Sequence, residues 1–208
     1  MLIDLIRHGE PVGGRRYRGQ LDDPLSEKGW RQMRRAVGDH APWDRVFTSP
    51  LRRCAEFAAE LARRHGLPCE EEPQLREVGF GVWEGRTAAE LTQEDPEILM
   101  RFYRDPVAHR PPGAEPLEEF RQRVVGCWEE LLTRRPGSHL LLVAHAGVIR
   151  VVLCHVLGMP LERMYIIQVP NAGITRFRVD GEGKRQFARL LFHGGPLESS
   201  ERTEGAAP

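Results

Sequence analysis

The chain has 208 residues, with 30 Lys and Arg set against 30 Asp and Glu, so it carries no net charge. That balance gives no basic signature for nucleic acid or an anionic membrane surface, and no run of ~18 apolar residues is available to cross a bilayer. The length suits one α/β domain that buries a full core.

In chain order, the apolar run Leu2 to Ile6 reads as a buried strand over 2–7 and stops at Arg7-His8-Gly9-Glu10. A strand ending there delivers a guanidinium and an imidazole to the sheet edge where ligands bind in open α/β folds. Gly9, without a side chain, is expected to let a bulky anion approach the backbone. A long loop leads to a helix at about 26–38, started by Ser26 and ended near Gly38. A strand over 44–48 then runs into Phe47-Thr48-Ser49-Pro50-Leu51-Arg52-Arg53-Cys54. Here Ser49 is expected to cap a helix over 51–65, with Pro50 at its first position and Arg53 in its first turn. A second Arg thereby reaches an anion near that helix N-terminus.

A short strand is expected near 68–72. The glycine-rich aromatic loop Leu75 to Gly85 follows, with Glu77 at its head. Thr87 caps a helix through Leu91. The Pro-rich stretch 95–115 reads as short helical turns and loop, and a long helix spans about 116–135. In it Leu117, Phe120, Val124, Trp128 and Leu131 recur at three- and four-residue steps, as a core-facing stripe does. Residues 140–150 form a second buried strand, ending in His145-Ala146-Gly147 and followed by an apolar helix through Leu157. Strands at about 172–179 and 185–192 flank Asp180-Gly181-Glu182-Gly183 as a hairpin. The domain is placed at 1–193, and the Gly-, Pro-, Ser- and Glu-rich tail over 194–208 reads as disordered. Alternating elements with a terminal hairpin predict a three-layer α/β/α fold whose central sheet is mostly parallel with an antiparallel edge.

Two His, two Arg and one Glu then stand at strand ends and turns, a set suited to phosphoryl transfer without metal ligands. An imidazole can attack phosphorus, and Arg holds phosphoryl oxygens in a two-pronged grip. The bland alternatives are a turn-capping His8 and a surface Glu77 beside Arg76. Glu10 reads as structural, and Glu84 is the next proton carrier after Glu77. Cys54, Cys69, Cys127 and Cys154 lack paired spacing and grouped His, which argues for free thiols in a reducing, cytoplasmic setting and against structural zinc. No metal and no cofactor is called for. A first strand that carries the candidate residues also argues against a cleaved signal. The remaining histidines (His40, His65, His109, His139, His155 and His193) read as structural or surface groups.

With these motifs assembled, the chain resembles the histidine phosphatase superfamily, which has the phosphoglycerate-mutase-like fold. The matching segments are Arg7 to Glu10, Asp22 to Gly29, Thr48 to Cys54, Leu75 to Gly85 and Ala144 to Gly147. The resemblance implies that His8 accepts the phosphoryl group, that Arg7, Arg53 and His145 complete the phosphate pocket, and that Glu77 donates the proton, with His145 supplying a hydrogen bond or a full charge. The family pattern selects Arg53 over Arg52. Gly14 stands where many members carry Asn, leaving Arg15, Arg16 and Gln20 as candidate replacements. The stretch from Arg104 through Glu115 into Val124 resembles the α-ribazole phosphatase branch, which makes Gln20, Arg15 and Glu115 candidates for the substrate pocket. The implied activity is hydrolysis of a small phosphorylated metabolite such as α-ribazole 5′-phosphate. A phosphoglycerate mutase is the alternative, and a non-catalytic phosphate-binding module ranks below it. A homodimer is left open.

Overall fold

A computed structural model describes residues 1–134, 138–181 and 186–197. Its six strands lie in one sheet: β1 (Leu2–Arg7), β2 (Arg45–Thr48), β3 (Cys69–Glu71), β4 (His139–Ala144), β5 (Ile174–Asp180) and β6 (Phe187–Gly195), in the order β3-β2-β4-β1-β5-β6. The first four are mutually parallel, and β5 and β6 add the antiparallel edge. The apolar runs of β1 and β4 are central because both of their faces are covered. Ile3, Leu5, Leu140 and Leu142 pack on one face against α5 (Leu117–Arg134) and α6 (Ala146–Leu157). Ile6, Val46, Leu141 and Val143 pack on the other, against α1 (Glu27–Val37) and α2 (Arg52–His65). This is the three-layer arrangement the sequence predicts. The stripe Leu117, Phe120, Val124, Trp128 and Leu131 is wholly core.

Local chemistry sets the ends. The Ser26 hydroxyl accepts from the Gly29 N–H at 3.0 Å to start α1. Gly66, at φ +67°, closes α2 in the left-handed conformation. Thr87 and Glu90 form a capping box at α3 (Ala88–Glu94), which runs a turn beyond Leu91. Part of the Pro-rich stretch is a true helix, α4 (Ile98–Arg104). Asp95 accepts from the Glu97 N–H and pairs with Arg101, while Phe102 is buried with Trp83 and Leu91 in a third apolar cluster. Seven residues are too few to display a period, which is why the sequence gives only short helical turns and loop there. β6 continues to Gly195, and Leu197 is 5% exposed within the α1/α2 core. The turn over 182–185 and the tail beyond 197 lie outside the described residues.

One polar cluster crosses the sheet core. Asp4 is fully buried and sits opposite Arg176 in the β1/β5 register. It accepts from Arg176 Nε at 2.7 Å and Nη2 at 2.9 Å, from Trp43 Nε1 at 2.8 Å, and contacts His139 Nε2 at 3.0 Å. Burial by itself raises the Asp4 pKa, but the bonds from Arg176 and His139 outweigh it and hold it below the usual value. A carboxyl with a depressed folded pKa contributes stability that is present above its unfolded pKa of about 4 and is lost as pH falls through the folded value. Asp4→Asn should therefore cost about 3–5 kcal/mol at neutral pH, because it removes the anionic half of a buried, hydrogen-bonded ion pair. Urea unfolding should show that loss, and the variant should lack the part of the wild-type decline below about pH 4 that Asp4 causes.

Candidate active site

The site grows from the β1/β4 register. Arg7 pairs with Ala144, so the next residues, His8 and His145, leave the sheet side by side with ring centroids 5.1 Å apart. The His8 N–H donates to the Ala144 carbonyl at 3.0 Å, which ties one strand end to the other. His8 Nδ1 lies 2.7 Å from the Gly9 carbonyl. A carbonyl only accepts, so Nδ1 carries the proton and Nε2 keeps its lone pair. Burial, with Arg53 and Arg7 nearby, pushes the His8 pKa well below the usual imidazole value. His145 is fully buried, and its Nε2 meets the Ser49 hydroxyl at 2.8 Å. Burial, Arg53 and His8 push its pKa well down too, which favours the hydrogen-bonding role over the full charge, the two alternatives the sequence left open.

Two guanidiniums flank the imidazoles. Arg53 comes from the first turn of α2, 1% exposed, and donates to the carbonyls of Leu21 at 2.6 Å and Gly19 at 2.7 Å. Arg7 donates to the Val169 carbonyl at 2.5 Å. Backbone carbonyls orient both cations without cancelling their charge. The buried Nε of each has no acceptor among the described residues. Burial, with Arg150, Arg15 and Arg53 outweighing Glu77, lowers the Arg7 pKa to about 10. Ser49 is not the N-cap of α2; Leu51 holds that position, its N–H donates to the Ser49 hydroxyl at 3.3 Å, and the same hydroxyl meets His145. Gly9 has a different reason from the one anticipated. A Cβ there would lie 2.3 Å from the Gly29 carbonyl oxygen, so the glycine lets α1 approach.

Glu77 reaches the same space from the opposite loop. One carboxylate oxygen accepts from the Gly147 N–H at 3.2 Å and the other from the Val78 N–H at 3.0 Å. Gly147 lies in the first turn of α6, where the helix dipole favours an anion. A Cβ on Gly147 would fall 2.2 Å from Glu77 Oε1. Arg123 braces the loop from behind, donating to the carbonyls of Gln74, Arg76 and Glu77. Glu115 forms a two-pronged pair with Arg123 and accepts from the Gly79 N–H. Glu115 is thus consumed by the brace and is not a pocket residue. Gln20 also misses the pocket. Its side-chain amide rests on the Glu77 carbonyl at 3.4 Å and its N–H donates to Glu84. Glu84 accepts from Phe80 as well, which makes it a loop clasp.

Arg15 does line the pocket, an opening of ≈ 410 Å³ that includes His8, Arg53, Glu77, Tyr17, Tyr103 and Tyr165. An adjoining opening of the same volume includes Gly14 and Gln168. At Gly14 the carbonyl accepts from Arg18, which also bonds Val12 and Asp23 and shapes the loop from within. Arg18, Arg150 and the three tyrosines escaped the sequence reading. Only Arg150 left a signal there, one turn after Ala146 on α6. No group of three or more His, Cys, Asp or Glu among the described residues is placed to hold a metal ion.

Comparison with known proteins agrees with this geometry. A family model for the histidine phosphatase superfamily (branch 1) matches residues 3–190. A putative phosphoserine phosphatase of Hydrogenobacter thermophilus is 29% identical over 182 residues, covering 86% of this chain and 89% of the relative. The adenosylcobalamin/α-ribazole phosphatase of Salmonella typhimurium is 33% identical over 174 residues, covering 81% and 86%. A mycobacterial glucosyl-3-phosphoglycerate phosphatase, solved with inorganic phosphate, superimposes with a TM-score of 0.81 at 26% identity, covering 94% of this chain and 97% of the other.

The depressed histidine pKa values are testable without substrate. Nitrogen-15 NMR at pH 6 should show His8 and His145 neutral, with His8 as the Nδ1–H tautomer; a protonated His8 ring at that pH contradicts the site's electrostatics. Below pH ~6.5 the unfolded chain binds protons that these buried rings refuse, so stability should fall with pH there, by up to ~1.4 kcal/mol per unit for each ring.

Proposed function

The chain belongs to the histidine phosphatase superfamily, and from that membership we propose that it hydrolyses small phosphomonoesters through a phosphohistidine formed on His8. The observation that carries this reading is the His8 ring itself: buried, with Nδ1 2.7 Å from the Gly9 carbonyl and its pKa pushed down, and flanked by two guanidiniums whose Nε–H groups have no acceptor among the described residues. In this reading Nε2 attacks phosphorus in line with the leaving oxygen. Arg7 and Arg53 take the equatorial phosphoryl oxygens, and their fixed planar forks suit charge spread over those oxygens. His145 donates a hydrogen bond to the phosphoryl group and takes up part of a positive charge as the dianion arrives.

Glu77 protonates the leaving alkoxide. Once that product departs, the ionised carboxylate accepts a proton from the water that attacks phosphohistidine, returning His8 and releasing inorganic phosphate. The helix N-terminus at Gly147 keeps the carboxylate in place through both steps. For the natural substrate, the loop from Arg104 to Glu115 supports α-ribazole 5′-phosphate as one candidate within the wider class of small phosphorylated metabolites.

Two variants test the assignment. His8→Ala should abolish turnover while circular dichroism shows an intact fold; activity near wild type would sink the mechanism. Glu77→Gln should lower kcat on an alkyl phosphate by ~10²–10⁴-fold, the usual worth of general acid–base help. It should lose much less on p-nitrophenyl phosphate, whose leaving group needs little protonation. Gly147→Ala, which pushes the carboxylate from its seat, should reproduce that alkyl-selective pattern. Normal alkyl-ester kinetics in Glu77→Gln would move the proton-transfer role elsewhere.

A further inference from the structure

We infer that Arg15 and Arg150 form a second anion-binding subsite beside the phosphoryl pocket, so that the preferred substrates are phosphate esters carrying another acidic group, such as phosphorylated carboxylic acids. This rests on the phosphomonoesterase reading and narrows its substrate class. The two adjoining openings share Arg7, Arg15, Arg16, Arg18 and Arg150, and Arg53 joins them at the floor. Only two carboxylates, Glu10 and Glu77, face these six cations. Glu10 pairs with Lys28 at 2.8 Å, and Glu77 is held by backbone N–H groups. Arg18 is matched by Asp23, and Arg16 folds back onto the Gly13 carbonyl.

A phosphoryl dianion meets Arg7 and Arg53, which leaves Arg15 and Arg150 unmatched. Arg15 makes no hydrogen bond or ion pair with any described residue. Arg150 is fixed but not satisfied. Its Nε donates to the Ile167 carbonyl at 2.9 Å and its guanidinium lies over the Tyr165 ring, 5.1 Å from the centroid, while neither terminal nitrogen has a protein acceptor. A cation held at its root with a free fork is preorganised for a carboxylate or phosphate. Proximity also shows in Arg7, whose pKa is depressed in part by Arg150 and Arg15. Concentrated like charge of this kind is relieved by a second anion and not by a neutral group. The aromatic wall is correspondingly committed. Arg150 covers one face of Tyr165, and the hydroxyls of Tyr17 and Tyr103 bond each other at 2.6 Å. Esters of phosphorylated acids therefore rank above the phosphate of a neutral nucleoside.

The test is a matched pair of substrates, 3-phosphoglycerate and glycerol 3-phosphate, which differ in a carboxylate, with p-nitrophenyl phosphate as an independent report of hydrolysis. Wild-type kcat/KM should favour 3-phosphoglycerate by ~10–100-fold, the size of one or two charge-assisted hydrogen bonds, and the preference should lie mainly in KM. Arg15→Gln and Arg150→Gln should each shrink that ratio, the double variant should erase it, and Arg150→Lys should keep part of it. Arg15→Gln breaks no protein contact, so it decides the matter even where Arg150→Gln disturbs Ile167 and Tyr165. Turnover of p-nitrophenyl phosphate without preference between the pair, or a preference left undiminished by Arg15→Gln, overturns the subsite alone. Failure to turn over any of the three esters overturns the phosphomonoesterase reading and the subsite with it.

Discussion

Everything at this site depends on two parallel strands ending together. The β1/β4 register sets Arg7 against Ala144, and the chain then turns out of the sheet with His8 and His145 in ring contact. Neither ring can be charged cheaply there, because burial and the two arginines oppose it. A neutral imidazole with a directed lone pair is thus imposed by position. The same arginines create a concentration of positive charge in a partly closed space, where an anion gains far more than it does in water.

Around this pair, most of the remaining polar side chains act as clasps. Ser49 holds His145, Arg123 and Glu115 brace the Glu77 loop, and Glu84 joins that loop to Gln20. Each clasp bonds backbone or a single partner and keeps out of the open space. The result separates two populations of charged groups: those already matched within the protein and a smaller set of cations that are not. The second set defines what the pocket accepts, and the glycines at 9 and 147 are needed so that helices and carboxylate can approach closely enough to build it.

Much of the fold was legible in the sequence because its signals are local. Buried parallel strands announce themselves as apolar runs, as Leu2–Arg7 and His139–Ala144 do, and Ser26, Thr87 and Gly66 mark helix ends by their own chemistry. Of the motif residues, Arg7, His8, Arg53 and Glu77 line one cavity, and His145 stands in ring contact with His8. What failed was anything decided by a distant partner. Glu115 looked available until Arg123 was seen to claim it, and Ser49 looked like a cap until His145 was seen beside it. Tyr103 and Tyr165 carry no local motif, since their position at the mouth comes from packing between α4, α6 and the 161–166 turn. α4 itself is too short for a period to emerge.

The proposed chemistry turns on phosphoryl transfer through His8. The decisive measurement is rapid acid-free quenching of the wild-type protein with an isotopically labelled phosphate ester, followed by peptide mapping. A transient phosphoryl group is expected on the peptide containing His8, stable in base, labile in acid, and formed fast enough to lie on the turnover path. A covalent phosphate on any other residue, or turnover with no phosphoenzyme at any time point under conditions that preserve phosphohistidine, would contradict it.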